Sequence, residues 1–262
     1  MAERIVKYPR TKHLEGSRLG PGDEDFSQVP FSHILGKNIV IEEKIDGANA
    51  AISFDTEGNL LLQSRGHYLI GGHREKHYNL LKHWANLYQD VFFDVLGTRY
   101  IMYGEWMYAK HTVFYDALPS YFMEFDIYDR EEKVFLDTDR RRAMTEQMGI
   151  ICSVPVLKRG RFSRKEEILG LIGHSNYITD GHIDTLRKVA ERLELDRDRI
   201  VSETDNSTTM EGLYIKIEEN GIVTDRVKYV RASFLQSIVE SQTHWLARPI
   251  VPNQLKDEST FF

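Results

Sequence analysis

The chain has 262 residues, 41% hydrophobic and 11% aromatic, enough for one large core or two small ones. A formal net charge of -6 and a pI near 5.9 exclude a general polyanion-coating role, so any contact with nucleic acid must come from a local basic patch. The single cysteine, Cys152, excludes an internal disulfide; with no apolar leader and no run approaching about 18 apolar residues, the chain reads as soluble and cytoplasmic.

Residues 1–36 are polar and turn-rich and read as an N-terminal arm packed on the core. Arg10, Lys12, His13 and Arg18 stand close together there, as a solvated arm or as a flap that contacts phosphates, for which Arg and Lys are the natural partners. A meander is expected next: strands over 38–43 and 50–55, the turn Thr56-Glu57-Gly58-Asn59, and a strand over 60–64. Ser64-Arg65-Gly66 closes it and would place Arg65 near the Lys44 end of the neighbouring strand. Between the first two runs lies Glu43-Lys44-Ile45-Asp46-Gly47-Ala48-Asn49. A lysine between apolar strands is partly desolvated, which favours the neutral amine over an ordinary pKa of about 10.4. That is one route to a covalently catalytic lysine. The glycine lets backbone pass close to a ligand with no Cβ in the way. Taken alone, the tetrapeptide from Lys44 to Gly47 fits a chance turn equally well.

A single amphipathic helix is expected over 78–96, with Leu80, Leu81, Trp84, Leu87, Val91, Phe92 and Val95 on its apolar stripe. His73 and His77 are spaced i, i+4, with His67 and His83 nearby. No adjacent carboxylate or cysteine completes a zinc set, so these read as surface or hydrogen-bonding histidines. Strands follow over 99–106, 121–128 and 134–136, then a helix over 139–148 and a strand over 153–158. Ser163-Arg164-Lys165-Glu166 has the form of a capping box opening a helix to 172, and a charged helix spans 182–195. After a polar loop at 205–209, Asn220-Gly221 joins strands over 210–217 and 222–229. A last helix over 232–242 and an extended tail to 262 complete the chain. Antiparallel hairpins with helices between them argue for an α+β fold, with 37–231 as its main domain and 232–262 as a short C-terminal helix and tail.

Six strand ends carry polar residues that have no reason to lie in a core: Lys44/Asp46/Asn49, Arg65, Glu105, Phe125/Asp126, Glu211, and Lys216/Arg226/Lys228. Each alone fits solvated surface. In order and spacing they resemble the motif series of the covalent nucleotidyltransferases, the superfamily of ATP-dependent DNA and RNA ligases and mRNA capping enzymes. Glu43, Lys44, Gly47 and Asn49 are similar to the RNA ligase 2 group, where DNA ligases and capping enzymes usually carry Arg in the last position; Phe125-Asp126 also looks like that group. The closing motif departs from it, with Arg226-Val227-Lys228 in place of two lysines, which ties the α-phosphate role more firmly to Lys228 than to Arg226.

The resemblance implies an antiparallel β-sheet adenylation domain (ATP-grasp-like) with flanking helices and no OB-fold domain. It implies an ATP-dependent RNA ligase that joins 3′-OH and 5′-phosphate RNA ends, in RNA repair, through a lysyl-AMP on Lys44 and an RNA-adenylate. The alternative is a DNA ligase or a nick-sealing enzyme acting on DNA or hybrid strands. A GTP-using capping enzyme and a non-catalytic RNA-end-binding protein stand further off. By the same resemblance Asp46 and Asn49 organise the nucleophile loop, Glu43 borders the adenine pocket, and Phe125 stacks on adenine. Glu105 accepts from the ribose hydroxyls, and Arg65, Lys216, Arg226 and Lys228 serve the phosphates. Glu211 is the carboxylate for Mg²⁺ or Mn²⁺, a hard, oxygen-preferring ion. Nearby cations would further depress the Lys44 pKa. RNA ends are the implied partners, with a partner protein or second subunit as a possible aid to end binding, and no membrane.

Overall fold

The computed structural model describes residues 4–20, 28–234 and 249–257. The β-branched, apolar runs form strands: β1 (Lys12–His13), β2 (Ile39–Lys44), β3 (Ala48–Phe54), β4 (Leu60–Ser64), β5 (Tyr100–Trp106), β6 (Phe122–Asp129), β7 (Val134–Leu136), β8 (Cys152–Ser153), β9 (Val156–Gly160), β10 (Gly212–Glu219) and β11 (Ile222–Val230). They hydrogen-bond in the order β4-β3-β5-β6-β7-β11-β10-β2-β9, with β1 added to β11 and β8 to β6. Every pairing along that path is antiparallel, whereas the two additions are parallel. The α+β class and the antiparallel sheet are as the sequence implies.

The meander is not. β3 and β4 form the expected hairpin, Phe54 opposite Leu60, but β2 pairs with β10 and β9 and never with β3. Ile45, only 5% exposed, sinks into the core instead of turning, and the chain passes from one half of the sheet to the other within residues 45–47. Lys44 therefore ends a strand in one half, and Asn49, opposite Glu105, begins one in the other.

The expected long helix is two. A 3₁₀ turn (His73–Tyr78) leads into α1 (Asn79–Leu87), and α2 (Gln89–Leu96) follows a bend at Tyr88, whose φ of -107° and ψ of 17° leave the helical region. Leu81, Trp84, Ala85, Phe92 and Leu96 are buried against β3 and β5, while Leu87, counted in the apolar stripe, is 63% exposed. α3 (Thr138–Met148) starts one residue before the expected helix because Asp137 caps it, its carboxylate accepting from Arg140 N at 2.9 Å. The strand expected over 153–158 divides at Pro155, which cannot donate to a ladder, into β8 and β9. The capping box does not form: α4 (Lys165–Leu169) is capped at Arg164, one residue beyond Ser163, with no side-chain bond. α5 (His182–Arg192) is followed by α6 (Arg197–Ser202), which the sequence reading passed over; Asp196 starts it by accepting from the amides of Asp198 and Arg199.

Residues 4–17 are woven into the sheet. Val6 O accepts from Tyr103 Oη at 2.8 Å and from Gln63 Nε2 at 2.9 Å, and Tyr8, His13 and Leu14 are buried. Near the other terminus Asn253, fully buried, accepts from Tyr115 N at 2.9 Å and donates to Met107 O at 2.6 Å. Residues 232–234 form a turn, and the rest of the helix expected over 232–242 lies outside the described residues. Among the described residues no helix is long and apolar enough to cross a membrane.

Candidate active site

The break between the sheet halves opens a cavity of ≈ 130 Å³ beside Lys44. Its lining includes Glu43, Lys44, Asn49, Arg65, Glu105, Phe125 and Lys228 from the motif series. A wider groove of ≈ 970 Å³ adjoins it and shares Asn49, Arg65 and Glu105.

Lys44 Nζ donates to Glu211 Oε2 at 2.6 Å, and the register that sets Gly212 opposite Lys44 brings the two together. Gly212 is required there, since a Cβ would sit 1.9 Å from Tyr229 O on β11. Gly47 is required for the same kind of reason: a Cβ would meet Met107 Sδ at 2.6 Å and Trp106 O at 2.8 Å. Its amide donates to Glu105 Oε1 at 3.2 Å, so the turn after Lys44 carries one carboxylate of the site. Asp46 faces the other way. Its Oδ2 accepts from Thr112 N at 2.7 Å and Val113 N at 3.2 Å, while its amide donates to Tyr115 Oη at 2.9 Å. Asp46 thus locks the loop that holds Lys44.

Burial favours the neutral amine at Lys44, as the sequence reading expects. Glu211, with Glu105 and Asp46, outweighs it, and the group is held above the ordinary lysine value. The structure therefore does not show the expected depression. Burial pushes the Glu105 and Glu211 carboxyls up to about 7 against the pull of Lys44. The two directions agree once the charges are counted. Glu105 and Glu211 are both buried beside one ammonium, which is satisfied more fully than either of them.

Glu43 lines the cavity, but its carboxylate turns away from Lys44. It accepts from Ser175 Oγ at 2.5 Å and from Asn176 Nδ2 at 2.6 Å, anchoring a turn the sequence reading did not single out. Asn49 Oδ1 is buried without a hydrogen-bond partner among the described residues and belongs to both cavities. A buried orphan acceptor is costly unless a ligand satisfies it.

Two expected phosphate contacts lie elsewhere. Lys216 is fully buried behind the cavity, 3.0 Å from Glu42 Oε2 and 3.1 Å from Asp126 Oδ1, and donates to Phe125 O. Arg226 stacks its guanidinium 4.0 Å from the Phe135 ring centroid and stands 3.7 Å from Asp126 Oδ2. Neither lines the cavity. Arg141, also fully buried, completes this network by donating to Glu124 Oε2 at 2.6 Å and to Glu42 Oε1. Lys12 pairs with Asp225 at 3.5 Å, and His13 bonds Ser17 at 2.7 Å, so of the arm's basic group Arg10 is the member that lines the cavity.

The cavity also takes in Tyr8, Thr11 and Tyr214, which sequence reasoning missed. An aromatic residue in a polar arm has no periodicity to flag it; its burial depends on contacts far along the chain. His77 is buried, at 2% exposure, rather than on the surface, and among the described residues no three of His, Cys, Asp and Glu gather to hold a metal.

A family model of RNA ligases matches residues 37–230. Among solved structures the chain is similar to substituted forms of Naegleria gruberi RNA ligase. One with ATP and Mn superposes with a TM-score of 0.55 at 16% identity over 88% of this chain and 58% of that one. One with AMP and Mn gives 0.56 at 15% identity over 88% and 57%, and one without ligand gives 0.56 at 16% over 90% and 58%. The chain thus spans a little under three-fifths of the length of those proteins. Comparison with the curated proteins gives no match. Carboxylates and cations thus converge on a lysine where the antiparallel sheet breaks. The chain belongs to the RNA ligase family.

Proposed function

We propose that the protein is an ATP-dependent RNA ligase that joins 3′-OH and 5′-phosphate ends through a lysyl-AMP on Lys44. The observation that carries this reading is the convergence of Lys44, Glu105, Arg65 and Lys228 on one cavity beside Glu211. It is supported by the family match and by the similarity to a ligase solved with ATP and Mn.

Lys44 Nζ attacks the α-phosphorus; a P–N bond forms, the bond to the bridging oxygen breaks, and pyrophosphate leaves. Charge builds on non-bridging oxygens, and fixed cations aimed at it lower the barrier. Lys228, Arg65 and Arg10 are the lining residues able to supply them. Attack needs the amine, whereas Lys44 is held as an ammonium by Glu211. Glu211 fits a hard divalent cation such as Mg²⁺ or Mn²⁺, which binds through one or two carboxylates and completes its shell with phosphate oxygens and water. Such an ion neutralises charge on the phosphate oxygens when bound. Glu211 would hold such an ion; apart from the pull of that carboxylate, burial favours the neutral amine at Lys44. A 5′-phosphate oxygen next displaces Lys44 from phosphorus, and a 3′-hydroxyl displaces AMP to form the phosphodiester. Phe125 serves the base, and Glu105 and Asn49 the sugar side of the cavity.

Incubation with α-labelled ATP and Mg²⁺, followed by denaturation, tests the first step. Label should appear on wild-type protein and not on Lys44→Ala; equal labelling of both would overturn the reading. Competing nicked duplexes with RNA or DNA 3′-OH strands then separate RNA from DNA sealing.

A further inference from the structure

Residues 107–118, which anchor Asp46, run between β5 and β6 without a strand of their own and make only isolated bridges. An irregular segment must satisfy its backbone polar groups by other means. Here residues 251–256 do so. Lys110 N donates to Val251 O, Asn253 N to Tyr108 O, Gln254 N to Tyr115 O and Lys256 N to Leu118 O, each at 2.8 Å. Leu118 N answers by donating to Gln254 O at 3.1 Å.

Asn253 ties this strap together. Its Oδ1 accepts from Tyr115 N, its Nδ2 donates to Met107 O, and its carbonyl accepts from Tyr121 Oη at 3.0 Å. An amide presents an acceptor and a donor side by side, whereas a carboxylate there would set an oxygen against Met107 O. Tyr115 carries the constraint onward. Its backbone is held by Asn253, and its hydroxyl, on a side chain that is 1% exposed, accepts from Asp46 N. The same segment supplies Thr112 N and Val113 N to the Asp46 carboxylate. Ile45, next to Lys44, is buried with Met107, Val113, Tyr115 and Leu118 in one cluster, against which Leu255 packs. The backbone that follows Lys44 is therefore fixed from residues 251–256, by way of 107–118. Glu105, Phe125 and Lys228 are carried instead by β5, β6 and β11.

We propose that Asn253 is a positioning residue for the lysine step: through Tyr115 and Asp46 it aims Lys44 at the α-phosphorus. The inference rests on the ligase reading and deepens it by adding a residue that lies beyond 37–230, the span that matches the family. Because the other walls of the cavity stand on the sheet, loosening the strap should misdirect the nucleophile without emptying the nucleotide site.

The test is single-turnover labelling of the full chain with α-labelled ATP and Mg²⁺. It reads three quantities: the amplitude, the ATP concentration at half-maximal rate, and the rate constant at saturation. Asn253→Ala should lower the rate constant by roughly ten- to hundredfold, the scale of a small misplacement of a reacting group, and leave the half-saturating ATP within about twofold. Tyr115→Phe removes only the bond from Asp46 N, keeps the ring, and should lower the same constant by about three- to tenfold, the worth of one neutral hydrogen bond. In the double variant the loss should not exceed that of Asn253→Ala alone, since both substitutions act on one path. A merely structural role would reduce the amplitude, because unfolded chains take no label, and leave the rate constant where it was. Unchanged rate constants in both single variants, or losses that multiply in the double variant, would overturn this proposal and leave the ligase reading intact. Absence of label on wild type would overturn both.

Discussion

Lys44 Nζ and Glu211 Oε2 lie 2.6 Å apart, so the lysine proposed as nucleophile is paired with the carboxylate proposed for the metal. The pair sets a rest state. Under the proposed function, engagement of Glu211 elsewhere would free Lys44 and so couple nucleophile release to loading of the site. Glu211→Gln should reduce metal-dependent lysine labelling by at least about tenfold, the scale of losing one ligand-orienting group. A Mn²⁺ titration of the labelling rate checks this; an unchanged rate and midpoint would remove Glu211 from the metal role.

The raised carboxyls give the protein a pH signature. Burial lifts Glu105 and Glu211 from 4.5 to about 7, so between those values the folded state binds protons that the unfolded state has released. Stability must then fall as pH rises through that window. Thermal midpoints measured from pH 5 to pH 8 should decline, and Glu105→Gln should flatten the decline.

Gly47→Ala tests the close approach behind the nucleophile. The new Cβ would press on Trp106 O, which is backbone and cannot step aside, as well as on Met107 and Glu105. Overpacking of this kind costs about 1–3 kcal/mol, read from denaturant unfolding. Because the displaced segment carries Lys44, labelling should fall even at temperatures where the variant is folded.

Arg141→Met addresses the ionic layer under the cavity. The substitution leaves Glu42 and Glu124 in a fully buried site without their shared cation, though Lys216 still faces Glu42. Removing one partner of a buried network costs about 3–5 kcal/mol. Urea midpoints should drop accordingly. Arg141→Met with Glu124→Gln should recover part of the loss.

Local chemistry was legible in the sequence wherever it decides structure by itself. The Asn220-Gly221 turn forms because both residues adopt positive φ, 54° and 82°, the backbone that a tight hairpin demands. β7 falls where read, and β11 extends one residue further. Partner choice was not legible. Nothing between Lys44 and Ala48 says that the next strand belongs to the other half of the sheet, because periodicity reports which face is buried and not which strand lies alongside. The candidate site divides the same way. Lys44, Asn49, Arg65, Glu105, Phe125 and Lys228 line the cavity they were expected to share. Lys216 and Arg226, which alternation alone allows at either face, are drawn behind it by Glu42 and Asp126. Tyr8 and Thr11 enter through contacts more than a hundred residues away, which no local pattern announces.

β2 finds its neighbour β10 across most of the chain, and Lys44 and the Glu211 that it pairs with are separated by 167 positions. During synthesis at about 5–20 residues per second, Glu211 emerges roughly ten to thirty seconds after Lys44. A growing chain carries Lys44 long before it has a pocket, so under the proposed function competence to take up nucleotide would arrive late and all at once. Ribosome-bound intermediates stalled before β10 should be chemically silent, however well their N-terminal hairpins have formed.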